Sequence, residues 1–93
     1  MRVSILKLAR NDLREIREYL SEFGASPPEK FCRQVADMPY MFTVYKHNPK
    51  YRKAVAAYGY LIFYQVDEKR GIVKVYRVLH GKRIIAPLLE EET

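Results

Sequence analysis

Arg77, His80, Lys82 and Arg83 stand within seven consecutive residues of this chain. That density of donors suits an anion. A guanidinium forks onto phosphate or carboxylate, and an ammonium adds a point charge. Neutral imidazole titrates near pH ~6.5, so His80 has the chemistry of a proton carrier at cellular pH. A second pair, Arg52-Lys53, lies upstream among Lys46 and Lys50. If the chain is a catalyst acting on phosphates, the candidates are His80, Arg83 and Arg52. If it binds a phosphate or a macromolecular target, they are Arg52, Lys53, Arg77, His80, Lys82 and Arg83. Each also has a plainer structural role to weigh. Arg77 alternates with Val73, Val75 and Leu79, so its stem is suited to packing over apolar surface. His80 at a strand end is equally suited to holding backbone by a hydrogen bond.

Other chemistries find little support. The one cysteine, Cys32, cannot form an internal disulfide and reads as a small apolar core residue in a reducing cytoplasm. His47 and His80 are too far apart for a recognisable ligand spacing, so no metal is expected. Neither a Gly-rich phosphate loop nor a Gly-x-Ser-x-Gly elbow occurs, and no cofactor is expected. Eight tyrosines mostly follow strand preference. Tyr60, Tyr64 and Tyr76 are also placed to stack on a base.

The chain has 93 residues, 48% of them hydrophobic, which predicts one domain with one small core spanning 1–93. A formal charge of +6 predicts an acidic partner, either nucleic acid or an acidic protein segment. The three acids Glu90-Glu91-Glu92 form a small acidic tail before Thr93. Met1 to Lys7 lacks the apolar stretch of a signal peptide, and no run approaches a membrane span, so a cytoplasmic protein is expected.

The elements that must position these cations follow from periodicity. Val3-Ser4-Ile5-Leu6 predicts a first strand. Leu13, Ile16, Leu20 and Phe23 recur every three or four residues, a helix stopped by Gly24. Ser26-Pro27-Pro28-Glu29 restarts a helix through a serine cap, with Phe31, Val35 and Met38 as its buried face. Residues 40–50 fit either a strand or an apolar loop. Tyr51 to Ala57 predicts a strand, Tyr58-Gly59 a tight connection, and Tyr60 to Val66 a central strand covered on both faces. Asp67 to Gly71 is a hairpin loop, and Ile72 to His80 the last strand. Alternation there puts Lys74, Tyr76, Val78 and His80 on one face, Val73, Val75, Arg77 and Leu79 on the other. Pro87-Leu88-Leu89 predicts a short helix or docked tail. The expected fold is α+β, ordered β-α-α-β-β-β, with an N-terminal helical hairpin on a mostly antiparallel sheet.

Across nearly its whole length the chain resembles the RelE/ParE toxin superfamily of type II toxin–antitoxin systems. Ala9, Asp12-Leu13, Ile16 and Tyr19 match its first helix. Tyr51-Arg52, Tyr64-Gln65-Val66-Asp67 and Arg77-Val78-Leu79-His80-Gly81-Lys82-Arg83 match its sheet. The resemblance implies a toxin of a plasmid-stabilisation module, neutralised by a cognate antitoxin, as a homodimer or a toxin–antitoxin heterotetramer. ParE-like members poison DNA gyrase, whereas RelE-like members cut mRNA on the ribosome. The chain departs from the RelE pattern at Leu61, where such nucleases carry arginine, and at Ala54 and Ala56, where they carry lysines. Ile84 stands where an acidic residue is common. The ParE-like reading therefore leads and asks for no catalytic site. The alternatives are a RelE-type ribonuclease, with its site displaced onto Arg52, Lys53, His80, Lys82 and Arg83, or a non-catalytic toxin-derived binding module.

Overall fold

The computed structural model describes residues 1–22, 24 and 29–90. In chain order these form β1 (Arg2–Ile5), α1 (Lys7–Ser21), α2 (Glu29–Asp37), β2 (Arg52–Val55), a 3-10 turn (Ala57–Gly59), β3 (Tyr60–Asp67), β4 (Ile72–His80) and α3 (Ile85–Leu89). The sheet runs β1-β4-β3-β2, with β1 parallel to β4 and the other pairs antiparallel. The expected α+β order is therefore present. The expected contributions of Phe23 and of the Ser26-Pro27-Pro28 cap lie outside the described residues.

Helix α1 lays Ala9, Leu13, Ile16 and Leu20 on the sheet, and α2 adds Cys32, Val35 and Ala36. Met38, expected on the buried face of α2, is exposed one residue beyond the helix end, and Cys32 and Ala36 fill that face instead. The sheet answers with Ala54, Tyr60, Ile62, Tyr64, Val73, Val75 and Val78. A second cluster on the opposite face joins Tyr51, Phe63, Leu79 and Leu89, with Tyr45, Leu61, Tyr76, Ile85 and Leu88 around it. Helix α3 covers that face, so β3 and β4 are apolar on both sides. This explains the near-continuous run of β3.

Residues 40–50 form a loop touching the sheet through one bridge, Val44 to Arg52. Its path is set by side chains that donate to carbonyls. The Tyr64 hydroxyl bonds Pro39 O at 2.7 Å, Arg52 Nη1 bonds Phe42 O at 2.7 Å, and Gln65 Nε2 bonds Lys50 O at 3.0 Å. Strand β2 is shorter than expected, because Tyr51 turns into the second cluster and the chain enters the 3-10 turn after Ala56.

Gly71 closes the β3–β4 hairpin at φ +64°, the left-handed conformation a glycine adopts freely. Tyr58 also has positive φ, at 60° with ψ 23°. For a residue with a Cβ this conformation costs about 1–2 kcal/mol.

The expected alternation of β4 holds to Val75 and then breaks. Phe63 pairs with Arg77 but Tyr64 with Val75, leaving Tyr76 as the extra residue of a bulge. Beyond it the faces exchange. Val78 lies with Val73 and Val75 under the helices, and Leu79 with Tyr76 on the α3 side.

Candidate functional site

Arg77 sits at the bulge, where β1 has ended and the edge of β4 faces α1. Its Nε and Nη2 donate to the two Asp12 oxygens at 2.8 and 2.9 Å, and Nη1 donates to Leu88 O at 3.0 Å. The same carboxylate accepts the Val78 N–H at 3.1 Å. Asp12 thus takes over on the edge of β4 where β1 stops, and Arg77 ties α1, β4 and α3 together. Arg77 was a candidate for target or phosphate binding. Instead its side chain is only 8% exposed and its fork is closed on a carboxylate. The periodicity of α1 did not reveal Asp12, whose role depends on a strand 65 residues away.

His80 ends β4 opposite Tyr60, ring edge to ring face at 5.2 Å. Its Nδ1 accepts the Lys82 N–H at 3.2 Å, so the proton of the neutral ring resides on Nε2. That nitrogen lies against Gly59, where a Cβ would stand only 3.0 Å away. Gly81 donates its N–H to Gly59 O at 2.9 Å, locking the 3-10 turn to the strand exit. Beside this junction, a cleft of about 200 Å³ is lined by Asp12, Glu15, Ile16, Tyr19, Tyr60, Val78, His80 and Arg83. Burial raises the Tyr60 phenol above its ordinary pKa, so it remains protonated. Lys82 and Arg83 are exposed, and neither forms an ion pair with a described residue.

Arg52 and Lys53 lie elsewhere. Arg52 pairs with Tyr64, whereas His80 pairs with Tyr60. Four residues along and two strands across correspond to roughly 13 Å and 10 Å, a separation of roughly 16 Å. Arg52 lies over the Tyr40 ring at 5.2 Å, and Lys53 over the Tyr45 ring at 5.6 Å. Lys53, paired with Phe63, points to the other face of the sheet. The six expected cations therefore divide into a strand-exit group (His80, Lys82, Arg83), a β2 group (Arg52, Lys53) and the buried Arg77.

Among the described residues, no second group assembles reactive chemistry. Cys32 is fully buried, and burial, helped by nearby Glu29, pushes its thiol up to about 12, away from the reactive thiolate. Among the described residues, no group of three or more His, Cys, Asp or Glu side chains is placed to hold a metal ion. No described helix is long and apolar enough to cross a membrane.

Solved structures that share this architecture include chains of toxin–antitoxin complexes. The toxin–antitoxin complex RelBE2 of Mycobacterium tuberculosis contains a chain of the same fold. It matches at TM-score 0.65 and 19% identity over 85% of this chain and 95% of that one. The intact E. coli RelBE complex matches at TM-score 0.61 and 21% identity, over 88% and 98%. A mutant E. coli RelE bound to an antitoxin RelBc peptide matches at 0.61 and 18%, over 98% and 94%. Curated protein sequences give no significant match. The family model for the ParE toxin of the type II toxin–antitoxin system parDE, however, matches residues 3–85. The chain belongs to that family, as a type II toxin of the RelE/ParE superfamily.

Proposed function

We propose that this toxin acts on DNA gyrase in the manner of ParE, without cutting RNA, and that a cognate acidic antitoxin neutralises it. The observation that carries this reading is the division of the cations. Cleavage by 2′-OH attack needs a proton acceptor and several cations converging on one phosphate. Here Arg52 and Lys53 stand roughly 16 Å and 14 Å from His80 by strand geometry, and Arg77 is closed on Asp12. The acceptor nitrogen of His80 is already occupied by the Lys82 N–H. Leu61, Ala54 and Ala56 bring no charge to the sheet between them. Each missing donor would cost a transition state on the order of 3 kcal/mol. The match of residues 3–85 to the ParE model supports the same target. Toxin–antitoxin complexes among the structural neighbours, together with the +6 charge, support an acidic antitoxin partner.

Substitutions at the strand exit test this. Replacing His80, Lys82 and Arg83 together by alanine is expected to abolish growth inhibition while circular dichroism stays that of the parent. His80→Gln alone is expected to keep toxicity within about tenfold, since the glutamine oxygen can still accept the Lys82 N–H. A proton-transfer histidine would instead lose roughly 10²-fold or more. Growth inhibition on induced expression measures both, and a folded triple variant with full toxicity would remove the strand exit from the active surface.

A further inference from the structure

Tyr58 combines two features that the fold itself does not require. Its backbone is left-handed, the conformation least suited to a bulky side chain, although glycine would fit the same turn without strain. The residue is 58% exposed, and its ring makes no hydrogen bond or ring contact with a described residue. Neither the turn nor the core gains from the phenol. Such outliers persist where a binding surface needs the side chain.

Gly59 O accepts the Gly81 N–H, and Gly59 packs against the His80 ring, so the turn that carries Tyr58 is bonded to the segment leading into Lys82, Arg83 and Ile84. Ile84 is 80% exposed, and Val55, at the end of β2, is 66% exposed. An aromatic side chain with aliphatic neighbours and a cationic rim has the composition of a protein-binding hot spot. One observation favours protein over nucleic acid: the exposed side chains of Val55 and Ile84 are aliphatic, suited to an apolar protein contact and unable to stack on bases.

We infer that Tyr58 is the anchor by which this toxin docks onto an acidic surface of its protein target, with Lys82 and Arg83 meeting carboxylates and Val55 and Ile84 covering the rim. The inference rests on the protein-target reading above. Full-length Tyr58→Gly and Tyr58→Asn test it, because both residues tolerate the left-handed backbone. Three quantities are read: potency of growth inhibition, thermal midpoint, and polarisation of a labelled single-stranded RNA oligomer titrated with protein. Potency is expected to fall at least tenfold in both variants. The midpoint of Tyr58→Gly should stay level or rise by up to about 4 °C as strain is relieved. RNA binding should match that of the parent.

Full potency in a folded Tyr58→Gly would overturn the inference. A midpoint that falls together with potency in both variants would make Tyr58 structural and also overturn it. Parallel loss of potency and RNA binding would assign the surface to nucleic acid instead. The two readings fail separately. Parent cells showing mRNA cuts and no gyrase-dependent DNA breaks would sink the protein-target reading. Parent cells with such breaks and a fully toxic Tyr58→Gly would sink the docking role alone.

Discussion

Arg77→Ala is expected to destabilise the toxin by about 3–5 kcal/mol, the usual cost of removing one partner from a buried ion pair. The guanidinium makes two charge-assisted bonds to Asp12 and one to the Leu88 carbonyl. Its loss leaves a nearly buried carboxylate held, among the described residues, by the Val78 N–H. Helix α3 also loses the bond from Arg77 to Leu88. A domain of this size has a total stability of roughly 5–15 kcal/mol, so the thermal midpoint should drop by at least about 12 °C. Arg77→Lys should recover little, because an ammonium cannot span both carboxylate oxygens. The double variant Asp12→Ala/Arg77→Ala should cost less than the two single costs added, since it leaves no unpaired charge. Thermal unfolding of the four proteins closes the cycle. An Arg77→Ala midpoint equal to the parent's would mean that the network holds nothing together.

Phe63→Ala is the second large effect, about 3–5 kcal/mol. Phe63 is fully buried on the α3 side of β3, with its ring edge-on to Tyr45 at 5.1 Å and Tyr51, Leu79 and Leu89 in its cluster. The cavity would open beneath α3 and the 40–50 loop. Amide exchange should therefore rise first in α3, ahead of the α1 side of the sheet. Phe63→Leu, which fills most of that volume, should cost far less. Phe63 pairs with Arg77 across the bulge, so the two sites should couple rather than add. Unfolding of Phe63→Ala at the parent's midpoint would contradict the central position of β3.

What was legible in the sequence followed from period. The stripe of Leu13, Ile16 and Leu20, the two-faced run of β3 and the hairpin at Gly71 all depend on neighbours a few residues apart. Cys32 was readable as core from its residue type. The features that define the site depend on long-range pairing. One extra residue, Tyr76, exchanges the faces of β4 beyond it, and alternation alone cannot reveal a bulge. Arg77 alternates with aliphatics, which pointed to its structural role, but its partner on α1 carries no local signal. The separation of Arg52 from His80 follows from strand order and register, not from spacing along the chain. Tyr58 was visible only as part of a tight connection, because its strain depends on a dihedral angle.

The most direct test of the central claim is one incubation series with purified toxin. One arm contains DNA gyrase and supercoiled plasmid, the other ribosomes programmed with mRNA. Gyrase-dependent linear DNA should accumulate with toxin concentration while the mRNA stays full length. Codon-positioned mRNA cuts with the plasmid left intact would contradict the account.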